Sequence, residues 1–175
     1  MQSLFEDYKN IFKKAKITET PAVKVEVKLD DFVGTVAYMK DHGFNQLTLY
    51  TAVDWIKEGN FELVAILYNT SYLQEIYVKT FIKRTEPRIE TIKDLYPQAT
   101  TYEREMHEMF GIDFLGNENL TEFVLENWQF APPLRKDFDT RQFVKDYYEV
   151  EDDISEREYI NRQIKYGRFE YNERS

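Results

Sequence analysis

The sequence predicts an α+β fold, because helical and extended segments alternate early in the chain and two long extended segments then follow one another directly. Three observations carry this reading. Val23, Val25, Val27 and Leu29 alternate with Lys24, Glu26 and Lys28, the period of a strand with one wet face. Two runs rich in β-branched and aromatic residues, Phe61 to Tyr68 and Leu73 to Ile82, are separated only by Asn69-Thr70-Ser71-Tyr72, which predicts a hairpin. Between and after these lie segments with apolar residues at spacings of three and four, the mark of amphipathic helices.

In chain order, Leu4, Phe5, Tyr8, Ile11, Phe12 and Ala15 give the first helical pattern. The strand at 23–29 follows Pro21. Asp30 or Asp31 is then placed to cap a helix carrying Phe32, Val36 and Met39, and Gly43 supplies a left-handed stop. Leu47 to Val53 returns to extended character, completing a strand, helix, strand unit before the hairpin. Thr100 and Glu103 have capping-box spacing, so a helix is expected from Thr101 or Tyr102 to a stop at Gly111. Residues 112–138 are rich in turn signals, at Gly116-Asn117 and Pro132-Pro133, around Leu120, Phe123, Val124, Leu125 and Trp128.

Composition then changes. Residues 139–175 carry ten acids, seven bases and seven aromatic rings, neither a flexible linker nor a core. Residues 1–138 are therefore read as one α+β domain and 139–175 as an extension, with a helix signalled at Ser155 and Glu158 and rings suited to a partner groove.

Counting excludes several functions. The 175 residues hold no Cys, so this chain ligates no iron-sulfur cluster through thiolates and has no cysteine nucleophile. Two His do not make a multi-histidine metal site by themselves, and the six Gly form neither a G-x-G-x-x-G nor a G-x-x-x-x-G-K loop. A net charge of −9 repels a phosphate backbone, so nucleic acid is not an expected partner. The first residues, MQSLFEDYKN, do not read as a signal peptide, and no apolar run reaches the roughly 18 residues of a membrane span. The chain is expected to be soluble and intracellular.

Two segments are dense enough to carry function. In Glu103-Arg104-Glu105-Met106-His107-Glu108, the acids beside an imidazole are the materials of an acid/base or metal group, although no second His completes H-E-x-x-H and no nucleophile stands nearby. The plainer alternative is a capped helix with an apolar stripe and a charged face. In Pro133-Leu134-Arg135-Lys136-Asp137-Phe138, two cations and an acid between apolar residues suit either a docking loop or a surface turn. His42, before Gly43, suits a local helix-end role, and Asp54 beside Trp55 suits a turn.

These segments resemble the signature of the 30 kDa subunit family of respiratory-chain NADH dehydrogenase (complex I) and its relatives in membrane-bound hydrogenases and archaeal dehydrogenases. The resemblance rests on Glu103-Arg104-Glu105, Glu108-Met109-Phe110-Gly111-Ile112, Phe114, Gly116, Trp128 and 133–138, with Thr51-Ala52-Val53-Asp54-Trp55 as a strand-end match, over roughly residues 20–150. The chain differs from the family's usual text at Asn117-Glu118, Thr121 and Phe130-Ala131-Pro132.

The resemblance implies a mixed, mostly antiparallel sheet with helices packed on it and a C-terminal extension. It also implies a non-catalytic scaffold subunit of a proton-translocating NADH:quinone oxidoreductase, peripheral on the cytoplasmic side of the membrane and touching it only through the complex. The expected partners are the large quinone-site subunit and the iron-sulfur subunits. Flavin and iron-sulfur clusters are expected in those partners, with no cofactor or metal bound by this chain. The implied partner interface is Glu103, Arg104, Glu105, Glu108, Pro133, Leu134, Arg135, Lys136, Asp137 and Phe138. The alternative is the same scaffold in a membrane-bound hydrogenase or another-donor, archaeal-type complex. A reading from a different class, a free-standing hydrolase using Glu103, Glu105 and His107, requires a nucleophile and an oxyanion site that the sequence does not show.

Overall fold

Among the described residues, five strands form one sheet in the order β1-β2-β5-β4-β3, with β2 parallel to β5 and the other neighbours antiparallel. They are β1 Lys16–Thr18, β2 Val23–Glu26, β3 Gln46–Trp55, β4 Asn60–Asn69 and β5 Gln74–Lys83. The computed structural model describes residues 16–18 and 23–147. The helical patterns expected at 4–15 and from Ser155 lie outside the described residues. The α+β class and the mixed sheet are as the sequence implies.

Alternation decides which side chains face the core. In β4, Phe61, Leu63, Ala65 and Leu67 point inward, and in β5 Ile76, Val78, Thr80 and Ile82 do the same. β3 departs from strict alternation, because its register against β4 shifts between Leu47 and Leu49. This bulge turns both Leu47 and Tyr50 inward across two exposed residues, and the Tyr102 hydroxyl donates to the Thr48 carbonyl at 3.1 Å.

Helix α1, Phe32–Asp41, buries Phe32, Val36 and Met39. A 3-10 turn at Leu29–Asp31 leads into it, so Asp31 stands at the N-cap in helical conformation and makes no side-chain cap bond, unlike the expected aspartate cap. At the other end, His42 Nδ1 lies 2.7 Å from the Tyr38 carbonyl and Gly43 takes a φ of +92°, as the sequence suggested.

Helix α2, Ala99–Phe110, starts earlier than its sequence signal, and Gln98 at the N-cap makes no side-chain bond. The expected capping box does not form. Turn bonds from the Ala99, Thr100 and Thr101 amides to the Tyr96, Pro97 and Gln98 carbonyls already satisfy the first donors, and this leaves Glu103 for other work. β6 Arg88–Glu90 and β7 Asp113–Leu115 form a separate two-stranded parallel ribbon. Rings tie α1 and the ribbon to the sheet, with Phe32 stacked on Tyr50 at 6.1 Å and Phe114 edge-on to Tyr50 at 5.9 Å.

The chain divides into two compact units, Met1–Phe138 and Asp139–Ser175. Within the second, α3 spans Thr140–Tyr147 and Asp139 Oδ1 accepts the Gln142 amide at 3.0 Å, an N-cap whose D-x-x-Q spacing is legible in the sequence. No described helix is long and apolar enough to cross a membrane.

The β4–β5 turn contains a strained residue. Asn69 Oδ1 accepts the Ser71 and Tyr72 amides at 2.9 and 3.0 Å, and Leu73, read from sequence as the first strand residue, lies in the turn at φ +51°. Its side chain is 75% exposed, so burial does not offset the left-handed conformation. Leu73→Gly is expected to raise stability by about 0.5 to 1 kcal/mol, measured as a higher urea midpoint at unchanged m-value. A lower midpoint would show that Leu73 contributes packing that its exposure does not suggest.

Candidate partner interface

The 133–138 segment is fastened to the sheet by a buried ion pair. Asp54, at the end of β3, is 3% exposed, and Arg84, just past β5, meets it twice. Arg84 Nη2 donates to Asp54 Oδ2 at 3.1 Å, and Nε lies 2.8 Å from Oδ1. Arg84 Nη2 also donates to Asp137 Oδ1 at 2.7 Å, and the Lys136 amide donates to Asp54 Oδ2 at 2.9 Å. The hydrogen bond to Asp137, and then the one to Asp54, outweigh burial and raise the Arg84 pKa. The same bond from Arg84 lowers Asp137 below the usual carboxylate range. Asp54 is therefore a buried anchor and not the turn former expected from its place beside Trp55.

Two more bonds run from this segment to the end of α2. Arg135 Nε donates to the Phe110 carbonyl at 2.6 Å, and the Leu134 amide donates to the Met109 carbonyl at 3.0 Å. A cation at the last carbonyls complements the negative end of the helix. The guanidinium groups of Arg135 and Arg84 lie 5.3 and 5.5 Å from the Phe61 ring centroid. Gly111 closes α2 in the left-handed region at φ +70°, and a Cβ there would stand 3.0 Å from both Arg135 Nη2 and Pro132 Cγ. The glycine lets the loop approach the helix end.

The acidic helix residues serve different purposes. Glu103 is fully buried and accepts from Thr91 Oγ1 at 2.6 Å, the Ile92 amide at 2.9 Å and Asn117 Nδ2 at 2.8 Å. Burial raises its pKa, and these donors oppose the rise. Its inclusion in the partner interface is corrected, because a side chain buried and bonded within this chain has no surface to offer. Glu108 gathers the Phe123, Val124 and Leu125 amides at 2.6, 2.9 and 3.2 Å. Partial burial raises its pKa, but the three amides and Arg104 outweigh this and leave it lowered. Arg104 lies 5.0 Å over the Phe123 ring, and Glu105 is exposed.

The three residues of the hydrolase reading are held apart in different settings. Glu103 is committed inside, Glu105 faces out, and His107 Nδ1 is 2.9 Å from the Ile112 carbonyl, so the three do not converge. Among the described residues, no group of three or more His, Asp or Glu is placed to hold a metal ion.

What faces outward is a narrower set than the sequence suggested. Leu134 is 53% and Val124 64% exposed, and Lys136 is exposed with its ammonium 5.9 Å from the Trp55 ring centroid. Pro133 and Phe138 are half-buried, Asp137 is half-exposed but tied to Arg84, and Arg135 is turned inward. Arg84 and Phe61, on which the loop rests, were not singled out from the sequence.

Arg135→Glu is expected to cost about 2 to 3 kcal/mol in the isolated chain, since it places a carboxylate against the helix carbonyls, whereas Lys136→Glu stays within about 0.5 kcal/mol. Thermal midpoints of the two variants check this, and equal losses would contradict the inward and outward assignment. A second expectation concerns pH. Glu108 and Asp137 have lower pKa values folded than unfolded, so their contribution is full above the unfolded carboxylate range near pH ~4 and is lost as pH falls through their folded values. Glu108→Gln is therefore expected to be less stable at neutral pH and to converge with the unmodified chain on acidification. Parallel stability curves down to acid pH would remove Glu108 from this role.

Comparison with known proteins agrees with the motif. A profile of the family described as "Respiratory-chain NADH dehydrogenase, 30 Kd subunit" matches residues 25–144. The C-type NADH-quinone oxidoreductase subunit of Moorella thermoacetica is 29% identical over 142 residues, covering 79% of this chain and 95% of that one. The C/D 2 subunit of NADH-quinone oxidoreductase from Aquifex aeolicus is 36% identical over 138 residues, covering 76% of this chain but only 23% of that longer one. Among solved structures, a chain of the membrane-bound sulfane sulfur reductase, an archaeal respiratory membrane complex, superposes with a TM-score of 0.79 at 32% identity, covering 89% of this chain and 95% of that one. The match spans both the acidic helix and the 133–138 segment, and the chain belongs to the 30 kDa subunit family of respiratory-chain NADH dehydrogenase.

Proposed function

We propose that the chain is a scaffold subunit, with no active site or cofactor of its own, in the peripheral arm of a proton-translocating quinone oxidoreductase on the cytoplasmic side of the membrane. Its partner is the large quinone-site subunit, with the iron-sulfur subunits beside it, and membrane contact is made only through the complex. The observation that carries this reading is the fused relatives. In polypeptides named C/D, a domain like this one occupies 23% of the chain in Aquifex aeolicus and 22% in Sulfurihydrogenibium, so the two parts are made as one molecule. The exposed Leu134 and Lys136, an apolar side chain and a charge two residues apart, suit such a contact. Residues 139–175, whose sequence carries seven aromatic rings among many charges, supply a second contact.

A second reading keeps the scaffold and changes the electron donor. It is favoured by the 32% identity and 0.79 TM-score to the sulfane sulfur reductase chain. In this reading, electrons reach the complex from a donor other than NADH, and flavin is not required among its partners.

Native purification through a tag on this chain tests both. The expected result is co-purification of the large and iron-sulfur subunits, with every cluster and flavin assigned to them and none to the isolated chain. NADH-dependent quinone reduction by the complex supports the first reading, and a complex inactive with NADH but reduced by another donor supports the second. A chain recovered alone from gently solubilised membranes would contradict the scaffold role.

A further inference from the structure

The two faces of the sheet differ. α1 and α2 pack on the face of Tyr50 and Phe61, where Phe32 stacks on Tyr50 and Phe110 meets Phe61 edge-on at 5.9 Å. Register defines the other face. One row runs through Lys16, Glu26, Lys79, Val64 and Thr51, across the five strands. The row to one side of it joins Phe81, Glu62 and Val53, and the row to the other side joins Tyr77, Ile66 and Leu49. A sheet face that meets water is ordinarily polar, yet Leu49, Val53, Trp55 and Phe81 on this face are 38 to 41% exposed, with Val64, Ile66 and Tyr77 half-buried beside them.

The acids in the middle of this face are matched within the chain. Glu62, 7% exposed, pairs with Lys79 and accepts Trp55 Nε1 at 2.9 Å, and Glu26 accepts Lys16 Nζ at 3.1 Å. What remains open is apolar, so the face selects an apolar occupant and not a charged one.

The point at which the chain enters the sheet supplies that occupant. β1 runs antiparallel to β2, so the residues before Lys16 arrive from the side of Phe81 and Val53. Those residues, which lie outside the described ones, carry Leu4, Phe5, Tyr8, Ile11 and Phe12 at helical spacing. Lys13 to Ala15, at roughly 3.3 Å per residue, are long enough to bridge the roughly 10 Å by which a helix of ordinary diameter stands off a sheet. From Leu4 to Phe12 a helix is about 14 Å long, which equals about three strand spacings and so reaches from β2 to β3. A helix this short is marginal in water and needs an apolar surface to hold it.

We propose that residues 4–15 fold back as an amphipathic helix across this outer face, with Ile11 and Phe12 over Phe81 and with Leu4 over Val53 and Trp55. The proposal rests on the register of the sheet and on the apolar stripe, and does not depend on the scaffold reading.

The chain has no Cys, so engineered pairs in the full chain report without background. Ile11→Cys with Phe81→Cys, and Leu4→Cys with Val53→Cys, are expected to form intrachain disulfides about tenfold faster than the crossed pairs, Ile11→Cys with Val53→Cys and Leu4→Cys with Phe81→Cys. Adding Tyr8→Asp to the matched pairs is expected to abolish that preference, and Tyr8→Asp alone to lower the thermal midpoint. Equal rates for matched and crossed pairs, or a midpoint unmoved by Tyr8→Asp, would overturn the proposal. Disulfides between two copies would also overturn it, by seating a second copy on the face.

Discussion

The contact between Asp54 and Arg84 organises the rest of the site. Asp54 is nearly inaccessible at the end of β3, and a carboxylate taken out of water there needs partners on every side. It receives Arg84 from the chain just past β5 and the Lys136 amide from a loop 82 positions later. Removing Arg84 would strand the buried Asp54 carboxylate, a cost of about 3 to 5 kcal/mol for a buried pair. Three remote pieces of chain are thereby held in one place, and the loop's outward residues inherit a fixed position from it. A docking surface benefits because an ordered loop gives up less conformational entropy when a partner arrives.

The acidic helix works in the same manner. Glu103 and Glu108 look like catalytic materials when read along the chain, yet each carboxylate is saturated by donors from irregular segments. Glu103 joins α2 to Thr91, Ile92 and Asn117, and Glu108 gathers three successive amides at 123–125. Residues 116–138 contain no helix or strand, so their backbone donors need side-chain acceptors. Carboxylates on one rigid helix meet that need. The motif is dense because it holds the surrounding chain in place.

What the sequence revealed follows from how far each signal reaches. Strands β2 to β5 and α1 announced themselves through periodicity, and Gly43 and Gly111 marked their helix ends because each needs a left-handed backbone. The start of α2 was misread because Thr100 and Glu103 share the spacing of a capping box, while Glu103's actual partners lie outside the helix. β6 and β7, at three residues each, are too short for alternation to show. Asp54 was misread for a different reason. Its cross-strand neighbour is Phe61, which pairs with Ile82, and Arg84 follows two residues later. Only the register of three strands brings that arginine to it. The division of 133–138 into inward Arg135 and outward Lys136 depends in turn on where Asp54 and the end of α2 lie.

The central claim is that 133–138 is fastened to the sheet from within this chain, and the Lys136 amide reports on it most directly. Its hydrogen exchange in the isolated chain is expected to be slowed to the level of the amides in the centre of β4, because release requires breaking the Asp54 contact. Exchange of Lys136 at the rate of an unstructured peptide, with β4 still protected, would show that the loop is not held by Asp54 and would contradict the account.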